Sequence, residues 1–421
     1  MIYKNILPNG VCLITEEVPY VHSVSIGIWV KTGSRYEDNH ILGVSHFLEH
    51  MLFKGTENRT SKQIAESLEA VGGQLNAFTA KEYTCYYARV LSENFDLASE
   101  VLSDMFLHSL FLPQEMEKER NVILEEIKMY EDSPDELVHD IYARTIFKNN
   151  SLGQPIIGTV DTVTNLTRDQ LIDYYQKTYV PENVIVVVAG KIKSNEVENK
   201  FTKLFSNFSG KAENIELKEP RAHSDIAFIT REIEQIHLCL GFPGLPNSHK
   251  KIYSLLLLNS ALGGGVSSRL FQEVREDHGL TYSIYSYHTG YIDSGIMGVY
   301  AGTSMQNVKT VVEIILKQIR DIKKKGLTKE ELQRTKQQVK GNLLLSMENI
   351  SSRMHRIGRS ELNLGRIVSP EEVLDLIMQV DNNSIKDVAE QVFKGENLCL
   401  AIVGQKNPDL DLESLIRIID T

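Results

Sequence analysis

Hydrophobic and polar positions follow two periods along the chain, and the order of the segments with each period occurs twice. Segments in which apolar residues alternate with polar ones, or form short runs, predict strands. In the first half, these strands are predicted at 21–30, 75–79, 83–91 and 182–192. Segments with apolar residues three and four positions apart predict helices. In the first half, these helices are predicted around SHFLEH (45–50) and at 93–108, 114–131, 134–147 and 167–178.

The second half of the chain repeats this order. Its strands are predicted at 236–242, 282–290, 294–302 and 396–406, and its helices at 253–265, 305–324 and 328–348. The closing strands are also alike, with ENVIVVVAGKI in the first half and ENLCLAIVGQK in the second. The pattern therefore predicts a duplicated unit of about 200 residues, which is an ordinary domain size.

The order of the segments also predicts a fold class. Strands and helices are mixed without a regular βα alternation, which is typical of α+β domains. We therefore predict two tandem homologous domains, each a mostly antiparallel sheet with helices packed on it. The N-terminal domain is predicted at 1–208 and the C-terminal domain at 225–421. The linker is predicted at 209–224, a charged segment that contains glycine and has no periodicity.

Composition narrows the class of protein. The 421 residues are 42% hydrophobic and 24% charged, as in a globular protein, and the net charge is −11. This charge argues against nucleic acid and anionic membranes as partners and permits basic peptides as substrates. No apolar run approaches a membrane span, and the N-terminus shows no targeting segment, so we expect a cytoplasmic protein. The four cysteines lack metal-binding spacing, and we expect reduced, mostly buried thiols.

The segment VSHFLEHMLF (44–53) is the first that suggests a chemical function. On a helix, its apolar side chains form one stripe, and His46, Glu49 and His50 lie on the opposite face. Two histidines one helical turn apart can bind one metal ion. Glu49 lies between them, close enough to act on a water molecule at the metal. The alternative is a polar outer face that carries two histidines by chance.

The helix predicted at 114–131 supplies a candidate third ligand. Glu119 and Glu126 are seven residues apart and lie on one face, whereas Glu125 points about 100° away from Glu126. Carboxylates on a partly apolar face need a positive partner, and a metal ion is such a partner. We therefore predict Glu126 as the third ligand and Glu119 as a residue that orients a histidine. The alternative is an exposed acidic helix with ordinary ion pairs.

These residues resemble the inverted zinc motif of the pitrilysin/insulinase metallopeptidases. Within that family, the likeness is greatest to the processing-peptidase branch, which contains the catalytic subunit of the mitochondrial processing peptidase and its bacterial relatives. The resemblance covers essentially the whole chain. It includes LPNGVCLITEEVP, GVSHFLEHMLFKGT, LNAFTAKEYTCYYARVL, EKERNVILEEIKMYEDSPDELVHD and SSRLFQEVREDHGLTYSIYS.

The resemblance implies a zinc metalloendopeptidase that acts on peptides or unfolded polypeptide segments inside a chamber. It implies one zinc ion per chain, bound by His46, His50 and Glu126. It also implies that Glu49 is the general base in peptide-bond hydrolysis and that Glu119 supports the site.

Further residues have roles through the resemblance alone. The family's edge strand, which pairs with the substrate backbone by strand addition, matches Asn76, Ala77, Phe78 and Thr79. The alternative is an ordinary strand within a sheet. Glu136 and Asp140 match acidic residues that recognise an arginine on the amino side of the cleavage point, and as i,i+4 neighbours they can bind one guanidinium. The alternative is a solvated acidic helix.

Arg275 and Tyr282 match a pair that helps to hold the scissile carbonyl or its oxyanion. The alternative is a salt bridge at a helix end and a core tyrosine. Family members with two repeats form the chamber from two subunits, so we expect a homodimer in which this pair completes the partner's site. The helix at 253–265 has no histidine pair and the segment 337–346 has no matching glutamate, so one site per chain is expected.

Three other functions compete with the peptidase interpretation. A non-catalytic scaffold or binding subunit of the same family is one, but every expected ligand and the base are present. A lyase of the ribosylhomocysteine-cleaving type shares the HxxEH spacing, but the duplication, the glutamate ligand and the lack of a suitable cysteine argue against it. A closed structural zinc site needs a fourth protein ligand, and none is evident nearby.

Overall fold

The computed structural model describes residues 1–213 and 215–420. In this part of the chain, the strands are β1 (Ile2–Ile6), β2 (Cys12–Glu17), β3 (Ser23–Val30), β4 (Gln74–Thr79), β5 (Thr84–Leu91), β6 (Val184–Gly190), β7 (Asp225–Thr230), β8 (Ile236–Pro243), β9 (Thr281–Gly290), β10 (Gly295–Thr303) and β11 (Cys399–Gly404). The helices are α1 (Val44–Leu52), α2 (Ser61–Glu69), α3 (Phe95–His108), α4 (Pro113–Glu131), α5 (Pro134–Ile146), α6 (Val160–Asn165), α7 (Arg168–Thr178), α8 (Ser194–Leu204), α9 (Ile252–Gly263), α10 (Val308–Lys325), α11 (Lys329–Ser346), α12 (Ile350–Leu364), α13 (Pro370–Gln379), α14 (Asn382–Val392) and α15 (Leu412–Asp420). Each predicted strand and helix is confirmed, with ends that agree to within a few residues.

The chain forms two compact units, and each half of the sequence contributes to both of them. Unit 1 consists of Met1–Lys128, Gln154–Leu217 and Leu345–Ile367. Unit 2 begins with Met129–Gly153 and continues with the remaining residues of the second half. Helix α5 of the first half therefore belongs to unit 2, and helix α12 of the second half belongs to unit 1. The predicted boundaries at 209–224 divide the sequence into its two repeats and do not include this exchange.

Helices cover both faces of the sheet in unit 1. The strand order in the described residues is β1-β2-β6-β3-β5-β4, with β4 at an edge. Neighbouring strands are antiparallel except for the parallel pair of β2 and β6. In β6, Val186 packs in the cluster that contains α1 and α3, and Val187 packs in the cluster that contains α12. Burial on both faces explains why this strand is one continuous apolar run in the sequence.

Unit 2 has a related sheet with the order β7-β11-β8-β10-β9 in its described residues. Only β7 and β11 run parallel, and the other neighbours are antiparallel. Leu400 of β11 packs with α9 and α10 on one face, and Ala401 packs with α5 on the other. Two mostly antiparallel sheets with packed helices confirm the predicted α+β class.

Two further expectations concern membranes and cysteines. Among the helices of the described residues, none combines the length and the apolar content that crossing a membrane requires. All four cysteines are buried and form no disulfide, as expected. The cytoplasmic location stays a prediction.

Helix α12 is held on the sheet of unit 1 by ion pairs and by close packing. Arg353 Nη1 lies 2.6 Å from Glu16 Oε1, and Lys4 Nζ lies 2.7 Å from Glu361 Oε1. Gly358 faces the fully buried indole of Trp29, and a Cβ at residue 358 would overlap that ring. A glycine is therefore required where the helix meets the sheet.

Replacing Gly358 by alanine is expected to lower the free energy of unfolding by about 1–3 kcal/mol, because the added methyl group overpacks a closed contact. Denaturant unfolding followed by circular dichroism measures this change. Gly341→Ala is the matched control, since Gly341 also lies within a helix and a Cβ there meets no heavy atom within 4 Å. The control is expected to stabilise by about 0.5–1 kcal/mol. Equal effects of the two substitutions would contradict the proposed close packing of α12.

Candidate metal centre

Helix α1 presents three ionisable side chains on its less buried face. Its buried side chains include Phe47, Leu48 and Met51, which pack in the core of unit 1. His46, Glu49 and His50 are half-buried, as the apolar stripe predicts. The two imidazole rings are neighbours, with centroids 4.7 Å apart. The local sequence therefore places two nitrogen ligands side by side at the surface of the helix.

Helix α4 brings a carboxylate to the two histidines. Glu126 Oε1 lies 3.8 Å from His46 Nε2, and Glu126 Oε2 lies 3.7 Å from His50 Nε2. One ligand atom from each of these three residues lies within 4.8 Å of the others. Tetrahedral zinc with ligand bonds near 2.0–2.1 Å needs its ligand atoms about 3.4 Å apart. The two distances from Glu126 exceed this spacing by a few tenths of an ångström, and the three side chains are close enough to share one small divalent cation.

The protonation of these ligands also fits a metal ion. Burial, with a smaller effect of His50, lowers the pKa of His46 to about 3, so its imidazole is neutral and has a lone pair to donate. Burial raises the pKa of Glu126, and the proximity of His50 offsets this only in part. A carboxylate whose charge is incompletely balanced is stabilised by a cation. Two imidazoles and one carboxylate are a donor set that zinc accepts.

Glu119 lies behind His50 and orients it. Its side chain is 5% exposed, and its Oε2 lies 3.0 Å from His50 Nδ1. Its Oε1 lies 2.6 Å from Lys54 Nζ. Burial raises the pKa of Glu119, but the hydrogen bonds from His50 and Lys54 outweigh it and the net shift is downward. An ionised carboxylate only accepts hydrogen bonds, so His50 Nδ1 is the donor to Glu119, and Nε2 is the nitrogen that faces Glu126.

Glu49 lies on the same face of α1 and contacts the edge strand. Thr79 Oγ1 donates a hydrogen bond to Glu49 Oε2 at 2.5 Å. Burial raises the pKa of Glu49, while Thr79 and His50 act in the opposite direction. A buried carboxylate with a raised pKa beside a metal site is suited to accept and release a proton.

Strand β4 carries the four residues predicted to bind substrate, and it lies at an edge of the sheet. The Ala77 N–H donates to the side chain of Asn76 at 2.8 Å, so this amide faces away from β5. Phe78 packs against His355 of α12 with ring centroids 5.7 Å apart. A cavity of about 500 Å³ lies beside this strand, and Phe53, Leu68, Leu75, Asn76 and Tyr87 are among its lining residues. In the described residues, β4 therefore has a neighbouring strand on one side only.

The predicted pair of the second half is in contact within unit 2. The Arg275 guanidinium lies over the ring of Tyr282, 4.8 Å from its centroid, and 4.6 Å from the centroid of Phe271. Arg275 is part of a π-helical segment, Phe271–Asp277, that precedes β9. The side chain of Tyr282 is 79% exposed. Tyr282 is therefore a surface tyrosine supported by Arg275, and it is not a core residue.

The two acidic residues predicted to bind arginine lie on α5 in unit 2. Glu136 is exposed and Asp140 is half-buried. They are i,i+4 neighbours on one face of that helix.

In residues 1–213 and 215–420, no second group of three His, Cys, Asp or Glu side chains is close enough to hold a metal ion. The described part of the chain therefore contains a single candidate metal centre.

Sequence reasoning assigned no role to three contacts at this site. Lys54 follows α1 directly and binds Glu119, the Thr79 hydroxyl binds Glu49, and Glu37 binds the first turn of α1. In the sequence, the position of Lys54 just after α1 indicates that it lies near this site, but it does not indicate Glu119 as its partner. Thr79 lies far from Glu49 along the chain. Glu37 lies six and eight residues before its partners, which is not the spacing of a helix cap. No local sequence pattern therefore indicates either contact.

Known peptidases resemble this chain along most of its length. Residues 12–160 match the model described as insulinase (peptidase family M16), and residues 165–339 match the model of the peptidase M16 inactive domain. The uncharacterized zinc protease YmxG of Bacillus subtilis is 45% identical over 403 residues, which cover 96% of this chain and 98% of that protein. An uncharacterized zinc protease of Streptomyces coelicolor is 42% identical over 415 residues, which cover 95% of this chain and 89% of that protein.

Two solved structures share the fold. The peptidase M16 inactive domain from Pseudomonas fluorescens superposes with a TM-score of 0.91 at 18% identity, covering 97% of this chain and 98% of that one. A protease from Helicobacter pylori superposes with a TM-score of 0.90 at 21% identity, covering 96% and 99%.

Proposed function

This chain belongs to the insulinase family of peptidases, family M16, and from that premise we propose that it is a zinc metalloendopeptidase. Its substrates are peptides or unfolded segments of polypeptides. The observation that carries the proposal is the cluster of His46, His50 and Glu126, whose ligand atoms lie close enough to hold one ion. The processing-peptidase branch stays a prediction within the family.

The residues of the cluster would hold one zinc ion per chain. A bound zinc ion supplies Lewis acidity, which polarises a peptide carbonyl and makes a water molecule more acidic. Glu49 accepts the proton of the attacking water and then delivers it to the leaving amine. Two features support this role: the hydrogen bond from Thr79 fixes the carboxylate, and burial raises its pKa from the ordinary value. Glu119 keeps the His50 proton on Nδ1.

Strand β4 is proposed to bind the substrate backbone by strand addition. An extended peptide that pairs with the outer edge of β4 would place its carbonyl groups along Ala77 and Thr79, and Thr79 touches Glu49. Recognition through main-chain hydrogen bonds accepts many sequences. Pairing of the substrate backbone with β4 therefore supports a broad substrate range. The contact between Thr79 and Glu49 supports alignment of the scissile bond with the base.

Two chains are proposed to form the complete site. In a homodimer, Arg275 and Tyr282 of one protomer would reach the metal centre of its partner, where the Tyr282 hydroxyl stabilises the oxyanion. The exposure of Tyr282 supports this role, because a phenol with a supporting guanidinium on its ring is available to another molecule. Glu136 and Asp140 are proposed to favour a basic side chain near the cleavage point.

Product mapping on a peptide library tests the proposed function. Zinc-loaded protein is incubated with unstructured peptides with and without arginine, and the products are identified by mass spectrometry. Internal cleavage that a chelator abolishes and added zinc restores is expected. Absence of cleavage in every peptide would contradict the peptidase function and favour a non-catalytic subunit.

Glu136→Gln is expected to slow cleavage of the arginine peptides more than of the neutral ones, and equal losses would remove its role in specificity.

A further inference from the structure

A buried carboxylate outside the candidate metal centre binds the first turn of helix α1. Glu37 is 6% exposed, and its two oxygens accept hydrogen bonds from the backbone amides of Gly43 at 2.7 Å and Ser45 at 2.8 Å. The first amides of a helix have no partner within the helix. Glu37 supplies partners for two amides, from six and eight residues upstream.

The same turn is enclosed by close backbone packing. Gly43 has φ +92°, a left-handed conformation that favours glycine. A Cβ at residue 43 would lie 2.6 Å from the carbonyl oxygen of Ile157 and 2.9 Å from Cα of Gly158. A Cβ at Gly158 would in turn overlap the carbonyl group of Leu42. The chain that enters α1 therefore has no free space on this side.

Side-chain hydrogen bonds hold the turn from a third direction. Ser45 Oγ lies 2.8 Å from the hydroxyl of Tyr174, which lies 2.9 Å from Thr32 Oγ1. Thr32 follows β3 and Tyr174 belongs to α7, so the first turn of α1 is connected to a strand end and to another helix. Ser45 immediately precedes His46. Any shift of this turn therefore moves the first metal-ligand candidate.

We infer that Glu37 is a positioning residue of the metal centre, which holds the first turn of α1 so that His46 and His50 reach Glu126. The inference rests on the proposed function. Helix α1 has only nine residues, and the Glu119 hydrogen bond to His50 holds its other end. Metal sites tolerate errors of only about 0.2 Å in their ligand distances. A helix this short transmits a displacement at its N-terminus to both histidines.

Glutamine at residue 37 tests this inference because it keeps the shape of the side chain. Its amide oxygen accepts a hydrogen bond from one of the two backbone N–H groups. Its NH₂ group faces the other N–H group, and because both are donors no hydrogen bond forms there. The measurement is the zinc dissociation constant of the folded protein, obtained by competition with a chromophoric chelator. We expect Glu37→Gln to weaken zinc binding about 10–100-fold, the range for partners that orient metal ligands.

Gly358→Ala is the matched control for a merely structural effect. It is expected to destabilise the same unit through α12, and the three atoms nearest to its added Cβ all belong to Trp29 of β3. We expect its zinc dissociation constant to stay at the wild-type value although its melting temperature falls. A Glu37→Gln protein with a lowered melting temperature and an unchanged zinc dissociation constant would overturn the inference.

A milder substitution keeps the test decisive if Glu37→Gln does not fold. Tyr174→Phe removes the hydroxyl that joins Ser45 to Thr32, and it is expected to weaken zinc binding several-fold. Wild-type affinity in Tyr174→Phe would then count against the inference. The readout does not depend on peptidase activity. A wild-type protein that binds no zinc would remove the proposed function itself, whereas zinc binding that ignores residue 37 would remove only the positioning role.

Discussion

Replacing Glu49 by glutamine is expected to lower kcat/KM for peptide hydrolysis by about 10²–10⁴-fold, the range that a positioned general base contributes. The amide cannot accept the proton of the attacking water. Zinc content is expected to stay at the wild-type level, because Glu49 is not one of the three clustered ligands. The measurement combines a quenched fluorogenic peptide assay with metal analysis of the same sample.

The control for this prediction is Glu125→Gln. Glu125 is exposed on α4. Among the described residues, its ion-pair partner is Lys128, whose Nζ lies 2.7 Å from Glu125 Oε1. The same change of glutamate to glutamine at this position is expected to leave kcat/KM unchanged. Equal activity of Glu49→Gln and wild-type protein, both with zinc bound, would contradict the assignment of Glu49 as the base.

The Glu49→Gln chain also tests the proposed homodimer. A chain with Tyr282→Phe is expected to be weakly active on its own, because its partner's site lacks the phenol. In a mixed dimer of the two variants, the site that uses Glu49 of one chain and Tyr282 of the other is intact. Roughly half of the wild-type activity is therefore expected per mixed dimer. A verified mixed dimer without any recovery would contradict a site shared between chains.

Periodicity predicted many of the strands and helices because these are buried on a regular face. Helix α1 shows this directly, since Phe47, Leu48 and Met51 are buried and His46 and His50 are not. The spacing of Glu119 and Glu126 likewise predicted that both would face α1. The spacing of residues along one helix is contained in full in the sequence.

The exchange of α5 and α12 between units was not predicted. Helix α12 is absent from the predicted elements, although Ile350, Met354 and Ile357 form a buried stripe. A stripe of this kind indicates that a helix packs on something, but not on which sheet it packs. The repeat of the segment order predicted self-contained halves, and the choice of partner depends on side-chain shape, as in the contact of Gly358 with Trp29.

The parts of the site that sequence reasoning missed are also long-range contacts. Glu37 binds backbone amides, which every residue type except proline provides, so its partners leave no trace in the sequence. Lys54 and Glu119 meet across two helices, α1 and α4, whose mutual position no periodicity specifies. Local patterns therefore predicted the metal-ligand candidates and Glu119, whereas the contacts of Lys54, Thr79 and Glu37 required the structure.

Replacing Glu126 by glutamine is expected to abolish the stabilisation of unit 1 by zinc. A ligand that binds only the folded state stabilises it by about 4.1 kcal/mol when its concentration is 1,000 times its dissociation constant. For a unit of this size, each kcal/mol corresponds to about 2–4 °C, so zinc is expected to raise the melting temperature of the wild-type protein by about 8–16 °C. Glutamine has no negative charge to offer the cation, and two imidazoles alone make a weak zinc site.

Thermal unfolding of chelator-treated protein, with and without added zinc, measures this difference. The increase is expected in the wild-type protein and in Glu125→Gln, whose side chain points away from α1, and it is expected to be absent in Glu126→Gln. Without zinc, Glu126→Gln is expected to melt at the wild-type temperature or slightly above it, because the raised pKa of the half-buried Glu126 means that its charge opposes folding when no metal is bound. A full zinc-dependent increase in Glu126→Gln would mean that the ion binds elsewhere, and the three-residue centre would then be wrong.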